Sequence, residues 1–223
     1  MPSQIPFAAV EFAANPEPRC PCVLALDTSA SMAGPRLQEL QAGLSQLKDE
    51  LAADPLARKR VELAVLSFGG SVRLLTDFTT VDAFEPPLLR ADGLTPMGGA
   101  IAAALDMVKA RKLIYRSNGV AYYRPWVFLL TDGEPNDQWQ SSAHAVRDAE
   151  TNRQLAFFAV GIGDANLDVL RQVSLRAPLL LNGLRFREMF QWLSSSLKSV
   201  SHSGLTDETR LENPATPDGW AKV

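Results

Sequence analysis

Two unbroken apolar runs each stop at an aspartate. Residues 21–27 read Pro-Cys-Val-Leu-Ala-Leu-Asp, and residues 126–132 read Trp-Val-Phe-Leu-Leu-Thr-Asp. A strand with one wet face alternates apolar and polar side chains. A run that is apolar throughout needs cover on both faces, which is the situation of a strand inside a parallel sheet. Residues 61–68 and 155–160 have the same character, and 178–181 is a briefer version. Residues 71–76 follow the Gly69-Gly70 turn and read as a hairpin strand pairing back on 61–68. Residues 8–13 read as one more short strand, ended by Asn15-Pro16.

Helical signals fill the gaps between these strands. Leu37, Leu40, Leu44, Leu47 and Leu51 form one apolar stripe, closed by Asp54-Pro55. Ile101, Ala104, Leu105 and Val108 define a face of a helix over about 97–116, before the Asn118-Gly119 turn. A polar helix is expected over about 139–153 and a short one over 166–174. A last helix carries Phe186, Phe190, Leu193, Leu197 and Val200. Strands alternating with helices predict a three-layer, α-β-α, doubly wound fold. Its sheet should be mostly parallel with one antiparallel edge strand. One domain over 1–200 and a C-terminal extension over 201–223 are expected, the extension folding back with Trp220 as its apolar anchor.

The composition narrows the function. The 223 residues are 46% hydrophobic and 21% charged, with a net charge of −3. A chain of this length buries about 70% of its unfolded surface and needs no metal or disulfide staple. The charge argues against nucleic acid, whose phosphates call for concentrated positive charge. No run approaches the roughly 20 apolar residues of a membrane span. The N-terminal residues lack a signal-peptide pattern, and no Asn-x-Ser/Thr acceptor occurs. A cytoplasmic location is the expectation. Cys20 and Cys22 lie two apart and read as two buried thiols on one face of a strand.

In such a sheet, ligands sit outside the carboxyl ends of the strands, so Asp27 and Asp132 are expected on one rim. Asp27 opens D-x-S-x-S, with Ser29 and Ser31, at a strand-to-helix turn. Every one of these donors is a hard oxygen. That disfavours zinc or copper and suits Mg2+, which takes a few protein oxygens and keeps several waters. Mn2+ or Ca2+ are the substitutes. Asp132 adds a second carboxylate, and Thr95, in L-T-P-M-G-G just before a helix, a third hydroxyl. Taken singly, the two serines also suit helix capping and Asp132 a turn; the combination and order point to a metal site.

This ordered set resembles the von Willebrand factor A family and its metal-ion-dependent adhesion site. The likeness runs from about residue 20 to 200, and all five positions match; Ala30 stands where many relatives have glycine. The resemblance implies that Ser29, Ser31 and Thr95 reach the metal directly, and Asp27 and Asp132 directly or through water. It also implies that the ion binds an acidic residue of a protein partner instead of driving a reaction. Gly98, Glu134, Asn136 and Asp137 are expected to contact that partner. The segments L-D-T-S-A-S-M, L-T-P-M-G-G-A and L-L-T-D-G-E-P-N-D-x-W further resemble the bacterial tellurium-resistance (TerY-like) branch. That branch implies a serine/threonine kinase and a PP2C-type phosphatase as partners in stress phosphorylation.

Two other readings compete. Domains of this family also serve as regulatory subunits of AAA+ ATPases of the chelatase type. A metal-dependent hydrolase or phosphatase could use clustered aspartates but usually gathers more carboxylates. Enzyme motifs are otherwise missing. Gly161-x-Gly163-x-x-Asn166 lacks the third glycine of a dinucleotide fingerprint, and neither a phosphate-binding P-loop nor a serine nucleophile elbow occurs. His144 and His202 stand in polar stretches without an evident nucleophile. The chain is therefore expected not to be an enzyme.

Overall fold

A computed structural model describes residues 12–205, 207, 209, 211, 213–215 and 219–222. The helices are α1 (Pro35–Ala52), α2 (Ala57–Arg60), α3 (Met97–Ser117), α4 (Gln140–Thr151), α5 (Leu167–Val173) and α6 (Phe186–His202). The strands are β1 (Cys20–Asp27), β2 (Val61–Gly69), β3 (Ser71–Thr80), β4 (Trp126–Thr131), β5 (Ala156–Ile162), β6 (Leu179–Leu181) and β7 (Ala221–Lys222). They form one sheet in the order β3-β2-β1-β4-β5-β6-β7. β2, β1, β4, β5 and β6 are parallel, and β3 and β7 are antiparallel edges.

The apolar runs are central strands for the reason their composition gives. Cys20, Cys22, Leu24 and Leu26 of β1 face one core with α1 and α6, while Val23 and Ala25 face another with α3, α4 and α5. β1 and β4 are buried along their whole lengths. α6 presents Phe186, Phe190, Leu193 and Leu197, all fully buried, to the first core. Both thiols are free and buried.

Two sequence expectations change. The stretch expected as a strand at 8–13 is helical at 12–14, where Phe12 packs its ring against Tyr115 and lies beneath the guanidinium groups of Arg19 and Arg111; residues 8–11 lie outside the described residues. The sheet also has two antiparallel edges instead of one. β7 pairs Ala221 with Leu181, and Trp220 is buried against Trp192. Two residues of strand in a polar tail carry no periodicity to read.

Candidate metal centre

The carboxyl ends of β1 and β4 are neighbours in the sheet, with Leu26 opposite Leu130. Asp27 therefore ends β1 beside Thr131 and Asp132. Asp27 is fully buried. One of its carboxylate oxygens accepts the Ser29 amide (2.8 Å) and the other the Thr131 hydroxyl (2.6 Å). Burial pushes the Asp27 carboxyl above the usual carboxylate range. The Ser29 and Thr131 hydrogen bonds pull against that, and the charge on Asp132 adds to it. Ser31 Oγ lies 3.0 Å from Ser29 Oγ and donates to Asp132 Oδ1 at 2.7 Å. Asp132 Oδ2 accepts from Arg36 Nη1 at 2.5 Å.

Three loops are laced together to hold this arrangement. The Thr28 amide donates to Phe68 O, Asp92 to Thr28 O, Ala30 to Gly93 O and Gly70 to Leu94 O, all within 3.0 Å. The approach leaves no room for side chains. A methyl group on Gly69 would stand 2.2 Å from Thr28 O, and one on Gly93 would stand 2.4 Å from the Gly70 α-carbon. The same lacing delivers Thr95. Its carbonyl accepts from the Met97 and Asn136 amides, tying its loop to the one after β4. Its side chain lies against Gly133, where an added methyl would come within 3.2 Å of the hydroxyl oxygen.

The structure thus brings Asp27, Ser29, Ser31 and Asp132 into one hydrogen-bonded group and sets Thr95 beside it. Donors on adjacent corners of an octahedral ion with about 2.1 Å bonds lie about 3 Å apart. The Ser29–Ser31 and Ser31–Asp132 separations, 3.0 and 2.7 Å, are of that size. The donor set fits a hard divalent cation. Among the described residues, no group of three or more His, Cys, Asp and Glu side chains is gathered to hold an ion. The rim set of two carboxylates and three hydroxyls is the candidate.

The residues expected to meet a partner divide. Glu134 and Asn136 are exposed on the rim loop, where Glu134 accepts from Asn166 Nδ2 at 2.6 Å. Asp137 turns inward, its two carboxylate oxygens accepting the Gly98 and Gly99 amides (2.9 and 2.8 Å) at the start of α3. It closes the donors of a helix end that has no side-chain cap of its own. Gly98 is buried, and a methyl there would stand 2.6 Å from the Trp139 α-carbon. Sequence reasoning missed Thr131, Gly93 and Arg36. Thr131 was visible in T-D-G but was absorbed into the strand; nothing near Arg36 marks it. A cavity of about 580 Å3 between α3 and α4 touches none of the five donors. His202 pairs with Asp54 near the far end of α1.

A mostly parallel sheet covered on both faces, with hydroxyls and carboxylates gathered at its carboxyl rim, defines the class as a doubly wound α/β domain. A family model described as von Willebrand factor type A domain matches residues 22–187, more than half of the chain, and the chain belongs to that family. A mouse (Mus musculus) relative, the collagen alpha-5(VI) chain, is 26% identical over 183 residues; the match covers 79% of this chain but 6% of that one. Proximal thread matrix protein 1 from the mussel byssus superposes with a TM-score of 0.57 at 17% identity, over 82% of this chain and 48% of that one. Another structure of that mussel protein has a zinc-occupied MIDAS motif, with a TM-score of 0.56 over the same shares. The ArnB paralog VWA2 from Sulfolobus acidocaldarius gives 0.56 at 16% identity, over 80% and 45%. The chain spans less than half the length of each of these proteins. At these identities the solved structures establish the fold.

Proposed function

We propose that this chain is a metal-dependent protein-interaction module. In this reading Asp27, Ser29, Ser31, Thr95 and Asp132 hold one divalent cation, and an acidic residue of a partner completes its shell. The observation that carries it is the hydrogen-bonded run from Asp27 through the Ser29 amide, the Ser29 and Ser31 hydroxyls and Asp132, assembled from segments about a hundred residues apart around two buried carboxylates. The oxygen-only donor set favours Mg2+, with Mn2+ or Ca2+ as substitutes. When bound, the ion supplies an electrophilic position for a carboxylate. The chain's own part is to fix the donors: Thr131 and the Ser29 amide orient Asp27, and the laced loops and Asp137 hold the Thr95 segment.

The three segments around Asp27, Thr95 and Asp132 support a finer reading. It places the module in a bacterial tellurium-resistance or stress-phosphorylation system beside a serine/threonine kinase and a PP2C-type phosphatase. Purified candidate kinase and phosphatase should be retained by the immobilised chain in Mg2+, released by EDTA, and not retained by Asp27→Ala. Retention that is equal in all three conditions overturns the metal bridge. Titrating Mg2+, Mn2+ and Zn2+ into the wild type ranks the ions directly, and preference for zinc over both would overturn the hard-cation assignment.

A further inference from the structure

Arg36 is the second residue of α1, directly after Pro35. Its side chain turns back over the rim. Nη1 lies 2.5 Å from Asp132 Oδ2 and 3.5 Å from Ser31 O. Nη2 reaches across to the loop after β5, where a methyl group added to Gly163 would stand 2.8 Å from it. The Asp132 side chain is fully buried, while that of Arg36 keeps 33% of its surface in solvent. Ser31 occupies one Asp132 oxygen and the guanidinium the other.

We propose that Arg36 is a tethered cation that competes with the divalent ion for Asp132 and so sets the threshold at which the rim takes up metal. The inference rests on the metal reading of the five donors. Its physical basis is exclusion. A guanidinium nitrogen at hydrogen-bond distance and a cation on or near the same carboxylate would repel each other and contend for the same lone pairs. Two buried carboxylates against one guanidinium leave a formal charge of −1 at the rim, which keeps the pair in place without metal. Exchange is feasible because the Arg36 side chain keeps a third of its surface in solvent and can rotate outward once its contacts with Asp132 and Ser31 O are released. Partly exposed ion pairs are weak, so the competition is expected to weaken metal binding on the order of fivefold, not to abolish it.

Calorimetric titration of Mn2+ into the full chain tests this, comparing wild type with Arg36→Met and Arg36→Gln. Both substitutions keep much of the stem and remove the charge. Both variants should bind Mn2+ roughly fivefold more tightly than wild type. Their melting temperatures should also rise further on Mn2+ addition, because the cation lost from Asp132 is then replaced. Affinity equal to or weaker than wild type overturns the role of Arg36 and leaves the metal reading intact. No binding by any of the three overturns the metal reading and this inference with it. A readout that needs no variant to fold is the Arg36 guanidinium NMR signal of 15N-arginine-labelled wild type. It should move along the Mg2+ saturation curve, and a signal that stays fixed while Mg2+ binds overturns the competition.

Discussion

At the amino end of the sheet, Glu62 is fully buried and has all its neighbours. Arg19 Nε donates to one oxygen, Arg111 donates to both, and the Tyr115 hydroxyl also donates to the carboxylate. The Phe12 ring lies 5.3 Å from both guanidinium carbons. Burial and the Glu62 carboxylate push the Tyr115 phenol far above its ordinary value. At the carboxyl end, one partly exposed arginine pairs with Asp132 alone, and Asp27 accepts from the Thr131 hydroxyl and the Ser29 amide. Counting formal charges, the first cluster is +1 with its carboxylate wrapped, and the second is −1, with its carboxylates buried but Ser31 and part of the Arg36 side chain open to solvent. Both are buried acid on one sheet; in the proposed reading the second takes an ion from outside, while the carboxylate of the first is already surrounded by Arg19, Arg111 and Tyr115. In that reading the first is a lock, and the second is a receptor.

Removing Glu62 breaks the lock. Glu62→Leu leaves two buried guanidinium groups uncompensated and should cost about 3–5 kcal/mol, read as a lowered denaturant midpoint. A loss below about 1 kcal/mol would mean that the amino-end cluster is as open as the rim. The rim should behave in the opposite way, gaining from an ion. At a hundredfold excess over its dissociation constant, Mg2+ should stabilise the wild type by about 2.7 kcal/mol. Asp27→Asn should lose that gain while unfolding normally in EDTA. Equal stability of wild type with and without Mg2+ would erase the contrast between the ends.

Thr131→Val sharpens the rim alone. It removes the hydroxyl from Asp27 Oδ2 and keeps the shape, and should cost about 1–3 kcal/mol, with weaker Mg2+ binding. An unchanged melt and unchanged metal affinity would show that Thr131 does not orient Asp27. The smallest effect concerns Cys20, beside the lock. Burial pushes its thiol up to about 12, with Glu62 adding to the shift. The folded protein should resist alkylation at neutral pH, and both thiols should react only on unfolding. Rapid labelling of native protein would show that the amino end breathes.

The strand bodies, the helices of both layers and the order of the site donors were legible in the sequence because they follow local rules. Apolar runs declare burial, and strand ends declare a rim. β4 ends at Thr131, as its run of apolar residues indicates. What was not legible depends on distant pairs. Glu62 reads as one polar residue in an apolar strand, and its partners are 43 to 53 positions away. Arg36 looks like ordinary surface charge, although its acceptor lies 96 positions on. Asp137 reads as a free rim acid because the helix end it closes belongs to another segment.

The placement of the donors also has a mechanical consequence. β1 lies between β2 and β4, and β4 between β1 and β5, all parallel. A partner pulling on an ion held at the tips of β1 and β4 would load the two middle strands lengthwise. Each strand then shares the force among the hydrogen bonds on both of its sides, which must slip together instead of peeling one at a time. A grip at the edge strand β3 would unzip its single ladder instead. An attachment at the tips of β1 and β4 would therefore bear more tension than one at β3 before the fold gives way.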